Sequence, residues 1–130
     1  MAAKSILGSS DIVAFVATSD PARAKAFYGD TLGLKFVGED QFAVVFDANG
    51  TILRVAIAQQ VTVAPYTVLG WRTPDVATVA NELKNAGVTC ERFGFFEQDE
   101  LGIWVAPGGT KVAWFKDPDG NMLSISSASH

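Results

Sequence analysis

The stretch that decides the fold comprises residues 11–36, which read DIVAFVATSDPARAKAFYGDTLGLKF. An apolar run is followed by Asp20 and Pro21 and then by a helical pattern that ends in glycine. Aspartate can cap the free N–H groups of a first helical turn, and proline fits the first position because an N–H there would have no partner. We therefore predict a strand followed by a helix that begins at Pro21.

The same plan returns at residues 66–88, which read YTVLGWRTPDVATVANELKNAGV. Thr73 and Pro74 take the places of the capping residue and the proline, and Gly87 supplies a left-handed stop. The helical spacing of apolar residues predicts one buried stripe in each helix. The first stripe comprises Ala24, Phe27, Tyr28 and Leu32, and the second comprises Val76, Val79, Ala80 and Leu83.

Turn-forming residues divide the rest of the chain into short strands. We predict these strands at 42–47, 51–58, 102–106, 111–115 and 122–126. With a strand ahead of each helix, the pattern indicates an α+β duplication of two βαβββ modules rather than a series of βαβ crossovers. The modules span about residues 8–62 and 66–127, are joined at 64–66, and form a single domain over 1–130.

The composition limits the compartment and the partners. The 130 residues are 48% hydrophobic and 18% charged, which favours a water-soluble globular protein over a disordered or membrane-spanning one. The basic residues are scattered singly and the net charge is −4, so we expect no nucleic-acid partner. The N-terminal segment has no apolar run of signal-peptide length, and Cys90 is the only cysteine. We therefore expect a cytoplasmic protein without disulfides or thiolate metal clusters.

Two motifs carry a resemblance to a known family. They are SDPARAKAFYGDTLGLKF at 19–36 and FKDPDGNMLSIS at 115–126. They resemble the opening and closing signatures of the vicinal oxygen chelate superfamily, which includes glyoxalases, bleomycin-resistance proteins and extradiol dioxygenases. The resemblance implies a curled mixed sheet around a cleft, commonly completed in a homodimer, but it leaves the function open because one fold hosts many functions.

Metal-using members of that superfamily carry ligands, commonly His, Glu, His and Glu, on the first and last strands of each module. The matching positions, counted from the motifs, hold Val13, Arg54, Val68 and Ser124. Valine has no donor atom, arginine repels a cation, and a lone hydroxyl is a weak ligand. The only histidine is the terminal His130. We therefore expect neither a metal ion nor another cofactor.

Strand alternation turns every second side chain toward the expected cleft. Arg54 is the sharpest candidate, because an inward guanidinium in an apolar cleft needs an anion or a ring to stack on. Two other interpretations of Arg54 stay open, a pair with Asp47 or simple exposure at a strand edge. The predicted ligand-binding residues are Val13, Phe15, Arg54, Ala56, Val68, Arg72, Met122 and Ser124, with Ala58, Gly70 and Ser126 on the same faces and Phe96 and Trp104 at the rim.

The other aromatic residues are assigned to the core or to a dimer interface. The acidic segment 97–100 is interpreted as a solvated loop tip, and Asp117 and Asp119 as turn residues explained by local hydrogen bonds. Neither Ser124 nor Cys90 has a histidine partner, so we expect no serine or cysteine nucleophile activated by imidazole.

Apolar walls with a few polar groups suit an organic ligand. These observations favour a metal-free protein that binds a small, partly aromatic or hydrophobic molecule in the cleft of a homodimer, similar to bleomycin-resistance-type binding proteins. One alternative is a glyoxalase-type lyase, isomerase or dioxygenase with an unusual or absent metal site. Another is an interaction module whose cleft is filled by its own side chains.

Overall fold

A computed structural model describes residues 5–128 of the chain, and His130 lies outside this range. The first half contains β1 (Val13–Thr18), α1 (Pro21–Lys25), a π-helical segment (Ala26–Thr31), β2 (Lys35–Glu39), β3 (Ala43–Ala48) and β4 (Thr51–Ile57). The second half contains β5 (Leu69–Arg72), α2 (Val76–Asn85), β6 (Trp104–Val105), β7 (Lys111–Lys116) and β8 (Met122–Ser126). Within residues 5–128, none of the helices combines the length and the apolar character that crossing a bilayer requires.

The strand pairing confirms the predicted duplication. Each half forms a four-stranded mixed sheet, in the order β1-β4-β3-β2 in the first and β5-β8-β7-β6 in the second. In both sheets the first strand pairs in parallel with the last, and the other neighbours are antiparallel. The fold is therefore α+β with two βαβββ modules, whose strands form two sheets.

The first helix begins as predicted. Asp20 accepts the N–H of Arg23 at 3.1 Å, and Pro21 is the first helical residue. The helix then widens, because the N–H of Leu32 donates to the C=O of Phe27, five residues earlier, at 2.9 Å. Phe27 and Tyr28 on this wider segment are both buried.

The start of the second helix corrects one prediction. Its N-cap is Asp75, which accepts the N–H of Thr78 at 3.1 Å, so that Thr73 and Pro74 both precede the helix. Aspartate is the stronger N-cap, and its charge also suits the positive end of the helix dipole. Gly87 has the expected left-handed φ, 89°, and follows the last turn.

Other predicted elements differ in extent. β6 is shorter than the predicted strand 102–106, because Gly102 has a φ of 89° and its N–H donates to the C=O of Asp99 in the preceding loop. β2, for which no range was predicted, carries a bulge between Phe36 and Gly38. Cys90 is buried and lies outside the strands.

One hydrophobic core joins the two modules. The predicted stripes are confirmed, since their members are buried except for Leu32 and Val79, which are partly buried. The same cluster contains the inner faces of both sheets, including Phe46, Leu53, Val55, Phe115, Leu123 and Ile125. Because a single core lies under both helices, the helices cover the same side of the two sheets. Each sheet therefore has one face packed in this core and one helix-free face.

The closing turn of the second module also reaches the first module. The Asn121 side chain donates to the C=O of Ala17 at 2.8 Å. Asp119 accepts the N–H of Ser19 at 3.0 Å and forms an ion pair with Arg23 at 3.3 Å. The prediction that local hydrogen bonds explain the acids of this turn was therefore incomplete.

Candidate functional site

The predicted ligand-binding residues on the strands lie on the helix-free faces. In β1 and β4 the side chains of Val16, Thr18, Leu53 and Val55 are buried, which turns their neighbours away from the core. β8 alternates in the same way, with Leu123 and Ile125 buried. The residues left on the open faces or in the loop beside them are Val13, Phe15, Arg54, Ala56, Val68, Arg72, Phe96, Trp104, Met122 and Ser124. Their role as ligand contacts stays a prediction.

Arg54 lies at the centre of the first open face. Its strand, β4, runs between β1 and β3, and the register places Phe15 on one side of Arg54 and Val45 on the other. Phe15 is 59% exposed, so the guanidinium stands beside open hydrocarbon. The edge-strand interpretation of Arg54 is therefore wrong.

The suggested pair with Asp47 is also not formed. The Asp47 carboxylate accepts the N–H of Gly50 at 2.7 Å inside its own turn. Among the residues that the structure describes, Arg54 takes part in no salt bridge.

The charge of Arg54 affects the pKa of a carboxyl group in the turn between β2 and β3. Asp40 in this turn accepts the N–H groups of Phe42 at 2.8 Å and Ala43 at 3.0 Å. These hydrogen bonds hold the pKa of Asp40 below its usual value, and attraction to Arg54 adds to them. The anionic form of Asp40 is thus the stable one beside the open face.

Trp114 dominates the second open face, and the sequence-based interpretation missed it. It had been assigned with other aromatics to the core or an interface. Strand β7 buries Ala113 and Phe115, so Trp114 points to the helix-free side, and its indole N–H donates to the Thr67 hydroxyl at 3.1 Å. The alternation within β7 was the signal that could have found it.

Small residues beside Trp114 leave room on that face. The register aligns Trp114 with Ser124 and Ser124 with Gly70. A Cβ on Gly70 would lie 2.7 Å from the Ser124 hydroxyl, so a larger residue there would require the serine side chain to rotate away. The surface next to the indole, formed by Gly70 and Ser124, is therefore shallow and partly polar.

The loop of residues 91–98, the aromatic loop, covers part of the second face. Phe96 lies with its ring centroid 4.9 Å from Trp104 and 5.5 Å from Trp114. Phe93 meets Trp114 edge-on at 5.3 Å, and Phe95 meets Phe96 edge-on at 4.6 Å. Phe96 and Trp104 thus lie together at the second face, where Phe96 covers part of the surface, and their role at the rim of a ligand site stays a prediction.

The acidic segment 97–100 is more than a solvated tip. Gln98 accepts the N–H of Phe93 at 2.7 Å and donates to the C=O groups of Glu91 and Gly102 at 2.9 and 2.8 Å. Asp99 accepts the N–H of Ile103 at 2.9 Å. These two side chains hold the base of the aromatic loop in one conformation.

The residues present do not fit the metal ion for which the superfamily is known. The four aligned positions hold Val13, Arg54, Val68 and Ser124, and only the last offers a donor to a cation. Among residues 5–128, no three His, Cys, Asp or Glu side chains come close enough together to hold a metal.

Cys90 offers no nucleophile. Burial raises the pKa of its thiol, and the charges of Glu91 and Asp99 raise it further. The thiol form is therefore favoured, while attack on a substrate requires the thiolate.

Several cavities lie outside the centres of the open faces. One of about 360 Å³ is on the helix side, between the end of the first helical unit and α2, and is lined in part by Leu32, Leu34, Trp71 and Leu83. Another of about 160 Å³ lies where Ala14 of β1 approaches Leu69 and Gly70 of β5. Of the predicted ligand-binding residues only Arg72 lines the first cavity, so the open faces remain the candidate site for the others.

Comparison with known proteins places the chain in one family. Residues 11–125 match the model of the Glyoxalase/Bleomycin resistance protein/Dioxygenase superfamily. None of the curated proteins matches the chain. Similar solved structures include a lactoylglutathione lyase from Agrobacterium tumefaciens, with 18% identity, a TM-score of 0.71 and coverage of 92% of this chain and 94% of that one.

A superfamily member from Sphaerobacter thermophilus is 22% identical, with a TM-score of 0.68 and coverage of 90% and 97% of the two chains. A member from Alicyclobacillus acidocaldarius is 16% identical, with a TM-score of 0.68 and coverage of 94% and 93%. Identities this low support the shared fold alone. The family match spans nearly the whole chain, and both modules and their motifs agree with it, so this chain belongs to the Glyoxalase/Bleomycin resistance protein/Dioxygenase superfamily.

Proposed function

We propose that this chain binds a small, partly aromatic or hydrophobic molecule on the helix-free faces of its two sheets, without a metal ion. The proposal resembles the binding role of bleomycin-resistance proteins in the same superfamily. Two observations support it: open hydrocarbon flanks Arg54 on the helix-free face of the first sheet, and the indoles of Trp104 and Trp114 lie close together on that of the second. Ligand sites combine such apolar walls with a few orienting polar groups.

Arg54 is the group that would orient the ligand. A guanidinium flanked by Phe15 and Val45 is less hydrated than one in open water, so a carboxylate or another planar acceptor gains more from meeting it. Arg72 lies beside Ser126 at the end of β5 and is exposed, which makes it a second and weaker anchor.

The binding unit would be a homodimer of whole chains. Val13, Phe15 and Val68 are large apolar side chains on or beside the open faces, and each is more than a third exposed. Apolar patches of this kind mark surfaces that a partner covers. Each chain would act as one domain with modules at about 8–62 and 66–127. The buried thiol of Cys90 needs no oxidising compartment and agrees with a cytoplasmic location.

A filled-site variant tests the proposal directly. Ala56 lies on the open face of β4, and Ala77 is exposed on α2, on the other side of the sheets. Wild-type protein should shift its melting temperature with at least one member of a broad panel of aromatic compounds and antibiotics. Ala56→Trp should lose that shift, whereas Ala77→Trp should keep it.

Two results would contradict the proposal. One is a panel in which no compound stabilises the wild-type protein. The other is a stoichiometric divalent metal, measured by elemental analysis of protein purified without chelators, that is lost together with a catalytic activity. The second result would favour a glyoxalase-type lyase, isomerase or dioxygenase instead.

A further inference from the structure

The aromatic loop places a phenyl ring where a ligand ring would stack. Trp104 and Trp114 project from neighbouring strands, with centroids 6.0 Å apart and planes inclined by 32°. Phe96 rests against both indoles, at 33° to Trp104 and 43° to Trp114. The two indoles thus form an aromatic surface on the sheet, and the ring that covers this surface belongs to the aromatic loop.

The two indoles and the phenyl ring that covers them are held by separate contacts. Trp114 is fixed by the strand and by its hydrogen bond to Thr67. The loop is fixed at its two ends, where the N–H of Glu91 donates to the C=O of Trp114 at 2.7 Å and Gln98 binds three backbone groups. The two indoles would therefore keep their positions if Phe96 moved away.

Between those ends the loop is packed by contacts among its own rings and with the two indoles. No atom lies within 4 Å of the position that a Cβ would take on Gly94, and Phe95 is 79% exposed. Phe93 and Phe96 supply the contacts with the indoles. A segment with few buried contacts opens at a low free-energy cost compared with the core.

We infer that Phe96 occupies the binding site for a flat, uncharged aromatic ring, and that such a ring binds to Trp104 and Trp114 by displacing Phe96. This inference rests on the proposed function and names the ligand class that the second face would take. Each aromatic pair that Phe96 forms with the indoles stabilises the covered state, so the ligand must compete with it. The exposed carboxylates of Glu97 and Glu100 beside the loop disfavour an anionic ring.

Competition by Phe96 predicts an effect of opposite sign to that of an ordinary contact. Phe96→Ala should tighten the binding of 2-naphthol by about fivefold to tenfold, the equivalent of one aromatic pair. If Phe96 were a wall of the site, the same substitution would weaken binding. Decahydro-2-naphthol, which has the same skeleton without a flat face, should show no gain. Both affinities are measured by isothermal titration calorimetry.

Phe95→Ala is the matched control variant, because Phe95 contacts Phe93 and Phe96 but neither indole. It should change the affinity for 2-naphthol by less than twofold. A ligand-free readout is independent of affinity: Phe96→Ala should increase acrylamide quenching of the tryptophan fluorescence. Trp71 stacks on Phe115 on the core side and gives a constant background.

The outcomes separate this inference from the proposed function. Weaker or equal binding of 2-naphthol by Phe96→Ala, with the far-UV circular dichroism spectrum retained, would overturn the inference. The same holds if neither protein binds 2-naphthol. In both cases the panel of compounds with Ala56→Trp still decides whether the open faces bind a ligand at all.

Discussion

The phenol of Tyr28 donates a hydrogen bond of 2.6 Å to the carboxylate of Asp117, although 89 positions separate the two residues. Tyr28 is fully buried in the helical unit of the first module, and Asp117 lies in the closing turn of the second. Asp117 also accepts the N–H groups of Asp119 and Asn121, each at 2.9 Å. One buried carboxylate therefore holds its own turn and joins the two modules.

Removing the phenol should destabilise the protein without changing its fold. Tyr28→Phe leaves a buried, charged acceptor without one of its donors, so we expect the free energy of unfolding to fall by about 1.5–3 kcal/mol. Urea denaturation followed by circular dichroism measures the change. Tyr66→Phe is the control, since Tyr66 is exposed. Equal stability of the two variants would show that the bond between the modules contributes nothing.

The same pair predicts a loss of stability at high pH. Burial and then the charge of Asp117 raise the pKa of Tyr28 far above its usual value. Above about pH 10 the unfolded phenol loses its proton while the folded one keeps it, so the unfolded state is favoured as the pH rises. The stability difference between wild type and Tyr28→Phe should therefore be constant below pH 10 and shrink above it. A constant difference up to pH 11 would contradict this assignment.

Asp119 predicts the opposite dependence at low pH. Burial alone would raise its pKa, but hydrogen bonds from the Ser19 backbone and from the Thr18 and Ser19 hydroxyls, with the charge of Arg23, lower it overall. The resulting stabilisation is present above about pH 4 and is lost as the pH falls through the folded pKa. Asp119→Asn should thus be less stable than wild type at pH 7, with a smaller difference at pH 3. Asp30→Asn, an exposed change, should show neither effect.

Gln98 should control the mobility of the aromatic loop. Gln98→Ala removes three hydrogen bonds to backbone groups and should lower the free energy of unfolding by about 1–3 kcal/mol. The Phe93 N–H donates to the Gln98 side chain, so its hydrogen exchange should become faster in the variant. Gln59→Ala is the control, because Gln59 is exposed. Unchanged exchange at Phe93 would mean that ring packing alone holds the loop.

Some parts of the site could be predicted and others could not. The position of Arg54 on an open face follows from alternation along β4, because each strand residue points opposite to its neighbour. The cap of α2 was misassigned, because Thr73 and Asp75 are both plausible capping residues and backbone geometry chooses between them. Trp114 was missed because tryptophan in a small domain is more often core than surface.

The sequence by itself determined the two βαβββ modules, the buried stripes of both helices and the side of β4 and β8 that faces the core. These features depend on residues a few positions apart, so periodicity and capping encode them locally. Only the tertiary structure decided that Asp117 receives the phenol of Tyr28 and that Phe96 lies across Trp104 and Trp114. Such contacts depend on how the loops and sheets pack together, and no local pattern in the sequence specifies that arrangement.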